Sequence, residues 1–504
     1  MKRSKHSLSY KKLLSCDMGE LVPIGLTEVL PGDTMQHATS MLLRASPMLA
    51  PVMHPVDVRI HHWYVPHRLV WSEFEDFITG GPAGVSIPTF PTITIGGGSG
   101  AAVGSLADYL GVPTGVNNIE VSALPFRAYA LIWNNWYRDQ DLETLLTVSK
   151  ASGADTTTNT LLKNCAWEKD YFTSARPFEQ KGPAVTIPLT GQAPVAGITV
   201  STSPSAGSAA NVANKIGPTA AQDVAASTPT WTSTSSFIQL AAQTTGGPNA
   251  TTNRPQIFAD LSAVSGVSVN QLREALALQR YEEARARFGS RYTEYLRYLG
   301  IRSSDARLQL PEYLGGGRQT VQFSEILQTA ADASNPVGTM RGHGIAAMRS
   351  NRYRRFFEEH GYVITMMSVR PKTVYMQGLF RHWNRRTKED FWQSELQHIG
   401  QQEVLNKELY AAHASPNGTF GYQDRYDEYR RAESLVSGEF RTTLNFWHMA
   451  RDFGSTPALN GSFVSCAPTE RIFAVPSTDN LWIMTNHSIQ ARRLVAAKGT
   501  SYIF

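Results

Sequence analysis

Lysine and arginine crowd the start of the chain: Lys2, Arg3, Lys5, Lys11 and Lys12 all precede the first acid, Asp17. Cations at this density suit contacts with phosphate, and Tyr10 or His6 could add stacking against a base. Arg492, Arg493 and Lys498 form a weaker basic stretch near the other end. The competing expectation for both is a solvated, disordered terminus, the commonest fate of such segments. A third cluster interleaves arginine with aromatics in Arg349-SNRYRRFFEEH, which holds Arg349, Arg352, Arg354 and Arg355. Glu358 and Glu359 follow at once, so the pattern favours an ion-paired surface between subunits over a DNA groove.

Other chemistry is weakly represented. His61, His62 and His67 are close in sequence, but a metal centre needs a further ligand that the pattern does not supply. Buried or interface histidine is therefore the expectation. No HExxH, nucleophile elbow, Walker motif or local cysteine–histidine pattern occurs. Glu73, Glu75 and Asp76 lie in an ordinary acidic stretch; a glycosidase pair assembled from distant loops would be invisible at this level. Cys16, Cys165 and Cys466 are odd in number, far apart and in no metal spacing, which suggests free thiols in a reducing compartment. No catalytic residue, metal or cofactor is expected.

Composition narrows the class. Of 504 residues 42% are hydrophobic, enough for a large core, and only 18% are charged, against about 25% in a typical globular protein. Much of the surface must then be neutral or hidden against other chains. A disordered chain, a coiled coil and a disulfide scaffold are excluded. The net charge of +5 is modest for this length, so any nucleic-acid contact depends on how charge is distributed. The basic start has no apolar stretch behind it and no run of about 18 apolar residues occurs, so neither a signal peptide nor a membrane span is expected.

The elements that must position these residues are mostly strands. Proline recurs at Pro23, Pro31, Pro47, Pro51, Pro55 and Pro66, which forbids long helices there. Val56, Val58 and Ile60 alternate with Asp57, Arg59 and His61 as in a half-buried strand, and beyond Ile60 both faces turn aromatic. GYVITMMSV, TVYMQGLF, ERIFAV and LWIMTN suggest further strands between 361 and 489. Helical spacing over 122–145 joins Phe126, Ala130, Trp133 and Tyr137. A longer helix is expected over 268–300, with Phe288, Tyr292 and Tyr295 on a face for core or subunit contact. From Leu189 to Thr252 the only charges are Lys215 and Asp223, so this neutral Ala/Thr/Ser stretch stands apart as an insertion. Strands near both ends with very long connections suggest an antiparallel β-sandwich carrying large insertions.

Three stretches carry a resemblance. Asp17-MGELVPIGLTEVLPGDTMQHATSMLLRASPMLAPVMHPVDVRIHHWYVPHRLVWSEFEDFITGG, Leu124-PFRAYALIWNNWYRDQD and Arg370-PKTVYMQGL resemble the major capsid protein family of the gokushovirus branch of the Microviridae, small phages with circular single-stranded DNA. The resemblance implies a mainly β fold, an eight-stranded viral jelly roll with long inter-strand insertions containing several helices. It implies sixty copies in a T=1 shell within the virion, made in the bacterial cytoplasm. The partners implied are further copies of the chain, the single-stranded DNA genome, a small basic DNA-binding virion protein, a scaffolding protein and a host-surface receptor. The chain then divides into a basic arm (1–16), the first part of the shell (17–184), an insertion projecting at the three-fold axis (185–256), the rest of the shell (257–490) and a basic tail (491–504). The alternative is a carbohydrate-binding or carbohydrate-cleaving β-sandwich of a phage, with tryptophan and tyrosine lining a sugar groove.

Overall fold

Residues that alternate apolar with polar side chains build the framework. The computed structural model describes residues 3–97, 99–183, 185, 269–289, 291–301, 304–305, 307–329 and 336–497, with the backbone of short strand segments between 195 and 259. The chain forms two compact units, one of Met1–Lys181 with Glu283–Phe504 and one of Gly182–Glu282.

In the first unit the strands of the two large sheets are β1 (Ser4–Ser7), β2 (Tyr10–Cys16), β3 (Leu21–Val29), β4 (Thr34–Ala45) and β5 (Val56–Pro66). After a long connection come β6 (Glu312–Thr320), β7 (Gln322–Leu327), β8 (Met340–Arg349), β9 (Tyr353–Phe356) and β10 (Gly361–Pro371). A second long connection leads to β11 (Leu481–Arg493). One sheet has the order β2–β11–β4–β8–β7, with β1 extending the edge beside β11 and β9 continuing beside β4; the other has the order β6–β5–β10–β3. All of these pairings are antiparallel. Two sheets that exchange strands in this order form a jelly roll, in which most successive strands cross the sandwich, while β7 and β8 pair within one sheet.

The inner faces meet through Met41, Leu43 and Ile483 on one side and Val56, Val58, Ile60 and Met367 on the other. The two sheets differ on their outer faces. Trp63, Val65, Ile364 and Met366 of the four-stranded sheet pack under a further layer that includes helix α1 (Leu124–Ile132) and Trp71. This cover explains why the β5 sequence turns apolar on both faces past Ile60. The seven-stranded sheet has a row of exposed positions on its outer face instead.

The second unit pairs Gln239–Ala242 with Ile198–Ser201, and Phe258–Ala259 with Val195–Ala196. The rest of the expected 185–256 insertion, apart from residue 185, lies outside the described residues.

Several expectations are corrected. Residues 4–16 are not a free arm but paired strands, because β11 offers them a thirteen-residue edge and His6, Leu8, Tyr10, Leu14 and Cys16 supply an inward face. Arg492 and Arg493 are the last residues of β11 rather than the start of a tail. The segments TVYMQGLF and ERIFAV form no strand beyond isolated bridges at Tyr375 and Phe473. The expected long helix is two, α2 (Val269–Phe288) and α3 (Tyr292–Tyr298), broken at Gly289, whose backbone is left-handed with φ of 93°. Phe288, Tyr292 and Tyr295 are exposed, so the core half of their expectation falls and the subunit-contact half stands as an expectation.

Candidate nucleic-acid interface

Because β-strand side chains alternate, every second residue of the seven-stranded sheet points away from the core. Register fixes which of them are neighbours. Ser15, Trp482, Arg44, Ile345 and Gln322 form one row across five strands, and Leu13, Met484, Leu42 and Ala347 form the next. Lys11, Asn486, Ser40 and Arg349 follow. Further along lie Ser7, Gln490, Gln36 and Arg354, then Lys5, Arg492, Thr34 and Phe356. Ten residues of β11 separate Trp482 from Arg492, about 34 Å of extended chain. Among the outward strand positions there is no aspartate or glutamate. The nearest acid at the Trp482 end, Asp479, accepts a hydrogen bond from Ser15 Oγ. The strand positions of this face are therefore basic, neutral-polar and apolar, with Asp479 bordering only its Trp482 end, a balance that suits a polyanion.

The residues expected to bind DNA divide by this alternation. Lys5, Lys11 and Arg492 are exposed on the outer face. Arg3 is exposed at the Thr34 and Phe356 end of this face, donating to the Gly32 carbonyl at 2.9 Å and to Thr34 Oγ1 at 3.1 Å, with its guanidinium 5.5 Å from the Phe356 ring centre. Lys12 points the other way: its Nζ donates to the Pro23 carbonyl at 3.1 Å and to that of Tyr109, and burial lowers its pKa to about 8. Arg493 also turns inward, its Nε 2.9 Å from the fully buried Asp33 carboxylate. Neither is free to meet phosphate. Tyr10 lies stacked on His487 with ring centres 4.7 Å apart, so it offers no platform for a base. Lys2 and Lys498 lie outside the described residues.

The cluster expected at a subunit interface is also divided. Arg349 and Arg354 join the outer face, Arg352 is exposed between β8 and β9, and Arg355 pairs within the chain with Glu312 at 2.7 Å. Glu359 is taken by Arg68 at 2.5 Å. Arg44 and Trp482 escaped the sequence reading. The signal for Trp482 was present in the alternation of β11, where Trp482, Met484 and Asn486 stand between Leu481, Ile483 and Thr485.

His61, His62 and His67 do not converge, and among the described residues no three His, Cys, Asp or Glu side chains are placed to hold a metal ion. His61 and His62 lie on opposite faces of β5. His61 Nδ1 is 2.7 Å from the Tyr137 hydroxyl, and burial lowers its pKa to about 4. His62 enters the sandwich core beside His37, ring centres 4.6 Å apart, within 2.9 Å of Thr365 Oγ1 and 3.0 Å of Ser350 Oγ. His37 stands 3.3 Å from His487 and 3.1 Å from the Tyr353 hydroxyl, and Thr39 Oγ1 lies 2.9 Å from His487. Cys165 and Cys466, distant in sequence, are opposed across an antiparallel bridge at Ala166 and Ser465, and all three cysteines are buried.

Comparison with known proteins sets this surface in context. Residues 1–502 match the family described as capsid protein (F protein). The capsid protein VP1 of Bdellovibrio phage phiMH2K is 36% identical over 496 residues, 95% of this chain and 90% of that protein. VP1 of Chlamydia phage 1 is 32% identical over 545 residues (94% and 91%), and VP1 of Spiroplasma virus 4 is 30% identical over 514 (95% and 90%).

Proposed function

From the premise that the chain belongs to the phage capsid protein family, in its gokushovirus branch, and is a structural component of the virion rather than an enzyme, we propose that sixty copies close into a T=1 shell around a circular single-stranded DNA genome. The observation that carries the genome-facing part of this reading is the acid-free outer face of the seven-stranded sheet. With the other sheet covered, this face is the broad sheet surface available to a phosphate backbone. Lys5, Lys11, Arg349, Arg354 and Arg492 contact phosphates there, and the neutral residues between them leave sequence unread. Arg349 and Arg354 thereby move from the expected subunit interface to the genome side.

Charge bounds the role. Sixty chains at +5 supply roughly 300 positive charges, whereas a genome carries one negative charge per nucleotide. Most neutralisation falls to counterions, polyamines and a small basic virion protein, and assembly draws on a scaffolding protein. The sheet face then orders the nucleotides next to the wall. Replacing Lys5, Lys11, Arg349 and Arg354 together by glutamine is expected to lower the salt dependence of single-stranded DNA binding by about 0.7 in log–log slope for every phosphate that the variant no longer neutralises. Affinities measured across a salt series check this, and an unchanged slope removes the face from DNA contact.

The 185–256 insertion takes part in host attachment in this reading. Its support is compositional: a long stretch with Lys215 and Asp223 as its only charges between Leu189 and Thr252. Particles lacking 190–250 are expected to assemble but to adsorb poorly to host cells. Intact particles of the deletion that adsorb normally would dispose of the role.

A further inference from the structure

A genome-facing sheet needs only cations, yet one end of this one presents a large aromatic ring. Trp482 is 50% exposed on the outer face, in register between Ser15 and Arg44, and Arg44 is itself exposed. The adjoining row continues apolar, with Leu13 77% exposed and Met484 42% exposed. Strand pairing through backbone groups places this patch, so the sheet does not need the indole for its own core. An exposed apolar patch on a basic, acid-free face calls for a partner that brings negative charge and flat apolar surface together. Unpaired nucleotides do so: phosphates seek arginine, and every base has a π-face that stacks on an aromatic side chain. Duplex nucleic acid keeps its base faces covered, and an acidic protein offers a π-face only where it exposes an aromatic side chain, whereas every unpaired nucleotide carries one beside its phosphate.

We propose that Trp482 is a stacking platform for an unpaired base of single-stranded nucleic acid, with Arg44 holding the neighbouring phosphate and Leu13 and Met484 flanking the sugar and base edge. The proposal rests on the reading of this sheet face as genome-facing, and deepens it. The platform anchors one nucleotide by its base at one end of the basic track; at the other end the exposed Phe356 ring lies under the Arg3 guanidinium. Stacking tolerates any base, so the anchor works wherever the genome passes. It also favours unpaired DNA over duplex at a surface whose other contacts do not discriminate.

The test uses the full-length protein and oligothymidylate. Binding is expected to quench part of the tryptophan emission, and Trp482→Phe is expected to remove that quenching while keeping most of the affinity. Trp482→Ala should weaken binding about tenfold or more at fixed salt, with the salt dependence unchanged, and should leave duplex binding where it was. Thermal midpoints of both variants should match that of the parent, since the ring is half-exposed. If Trp482→Ala binds oligothymidylate as tightly as the parent while the Lys5/Lys11/Arg349/Arg354 glutamine variant binds weakly, the stacking site is wrong and the genome-facing sheet stands. If both variants bind like the parent, the sheet face itself has been misassigned and the proposal goes with it.

Discussion

Between pH 7 and pH 4 the folded protein is expected to lose much of its stability, before its paired carboxylates are protonated. His37, His62 and His487 are buried between the two sheets, and burial holds their pKa values down: about 3 for His37, about 4 for His487, and well below the usual value for His62. The groups facing them are Tyr10, Tyr353, Thr39, Ser350 and Thr365, with Lys12 adding a repulsive charge toward His487. No acid is among the partners that set these three shifts. Unfolded histidine titrates near 6.5. Stability from keeping these rings neutral is therefore full above that pH and is lost as pH falls toward the folded values, because the unfolded chain takes up protons first. At about 1.4 kcal/mol per unit, the roughly two and a half units between 6.5 and pH 4 amount to about 3 kcal/mol each for His37 and His487, which competes with a typical total of about 5–15 kcal/mol; His62 acts in the same direction. His54, His61 and His67, each lowered by burial to about 4, act in the same direction. Glu20 and Glu433 act in the opposite one, since burial raises both to about 7 and their folded forms bind protons early. The histidines outnumber them. Acid titration followed by near-ultraviolet circular dichroism checks the sum. His62→Gln, which keeps hydrogen bonds open to Thr365 and Ser350, should unfold at a lower pH than the parent. A parent that stays folded to pH 4 and a variant with the same midpoint would refute the account.

The same histidines show what sequence could convey. A cluster at His61, His62 and His67 was visible, but strand alternation splits it, and the partners of His62 come from positions 37 and 487. Such a cluster exists only once β4, β5 and β11 are placed. The N-terminal strands teach a related lesson. Residues 3–16 alternate as a strand should, yet Lys12 on the inward side hides the pattern, because its ammonium is satisfied by carbonyls of Pro23 and Tyr109 that lie far along the chain. The jelly roll itself was legible through resemblance in 17–81, 124–141 and 370–379, whereas periodicity alone reached only a sandwich. Arg349 and Arg354 illustrate the limit for the surface. The acids that follow them suggested ion pairs between subunits; within the chain Glu359 is drawn to Arg68 across a long connection, a partner that adjacency in sequence does not reveal.

Replacing Asp155 by asparagine is expected to destabilise the first unit by about 3–5 kcal/mol, the cost of leaving a buried charge without its partner. The Arg127 and Asp155 side chains are both fully buried and meet at 2.7 Å. Arg127 rises from α1 and also donates to the carbonyls of Val70 at 3.0 Å and Ala151 at 2.9 Å, so one guanidinium ties the helix to the short helical turn His67–Val70 that follows β5 and to the 151–158 loop. Asp155 accepts from the Thr158 hydroxyl at 2.6 Å and from the Thr157 and Thr158 amides. Burial alone would raise its pKa; the hydrogen bonds from Thr158 and Arg127 overcome it and bring the value down to about 2. Asparagine can keep one or two of the amide contacts but cannot neutralise the guanidinium. Changing both residues to leucine and methionine of similar bulk should recover part of the loss, because no charge then remains to be desolvated. The layer this pair holds is the one that covers the outer face of the four-stranded sheet. Asp155→Asn should therefore loosen that cover first, seen as faster amide exchange in α1 and around Trp71 than in β4 and β11. A denaturation midpoint for Asp155→Asn equal to that of the parent would mean the pair contributes nothing, and the asymmetry between the covered and open sheets would need another cause.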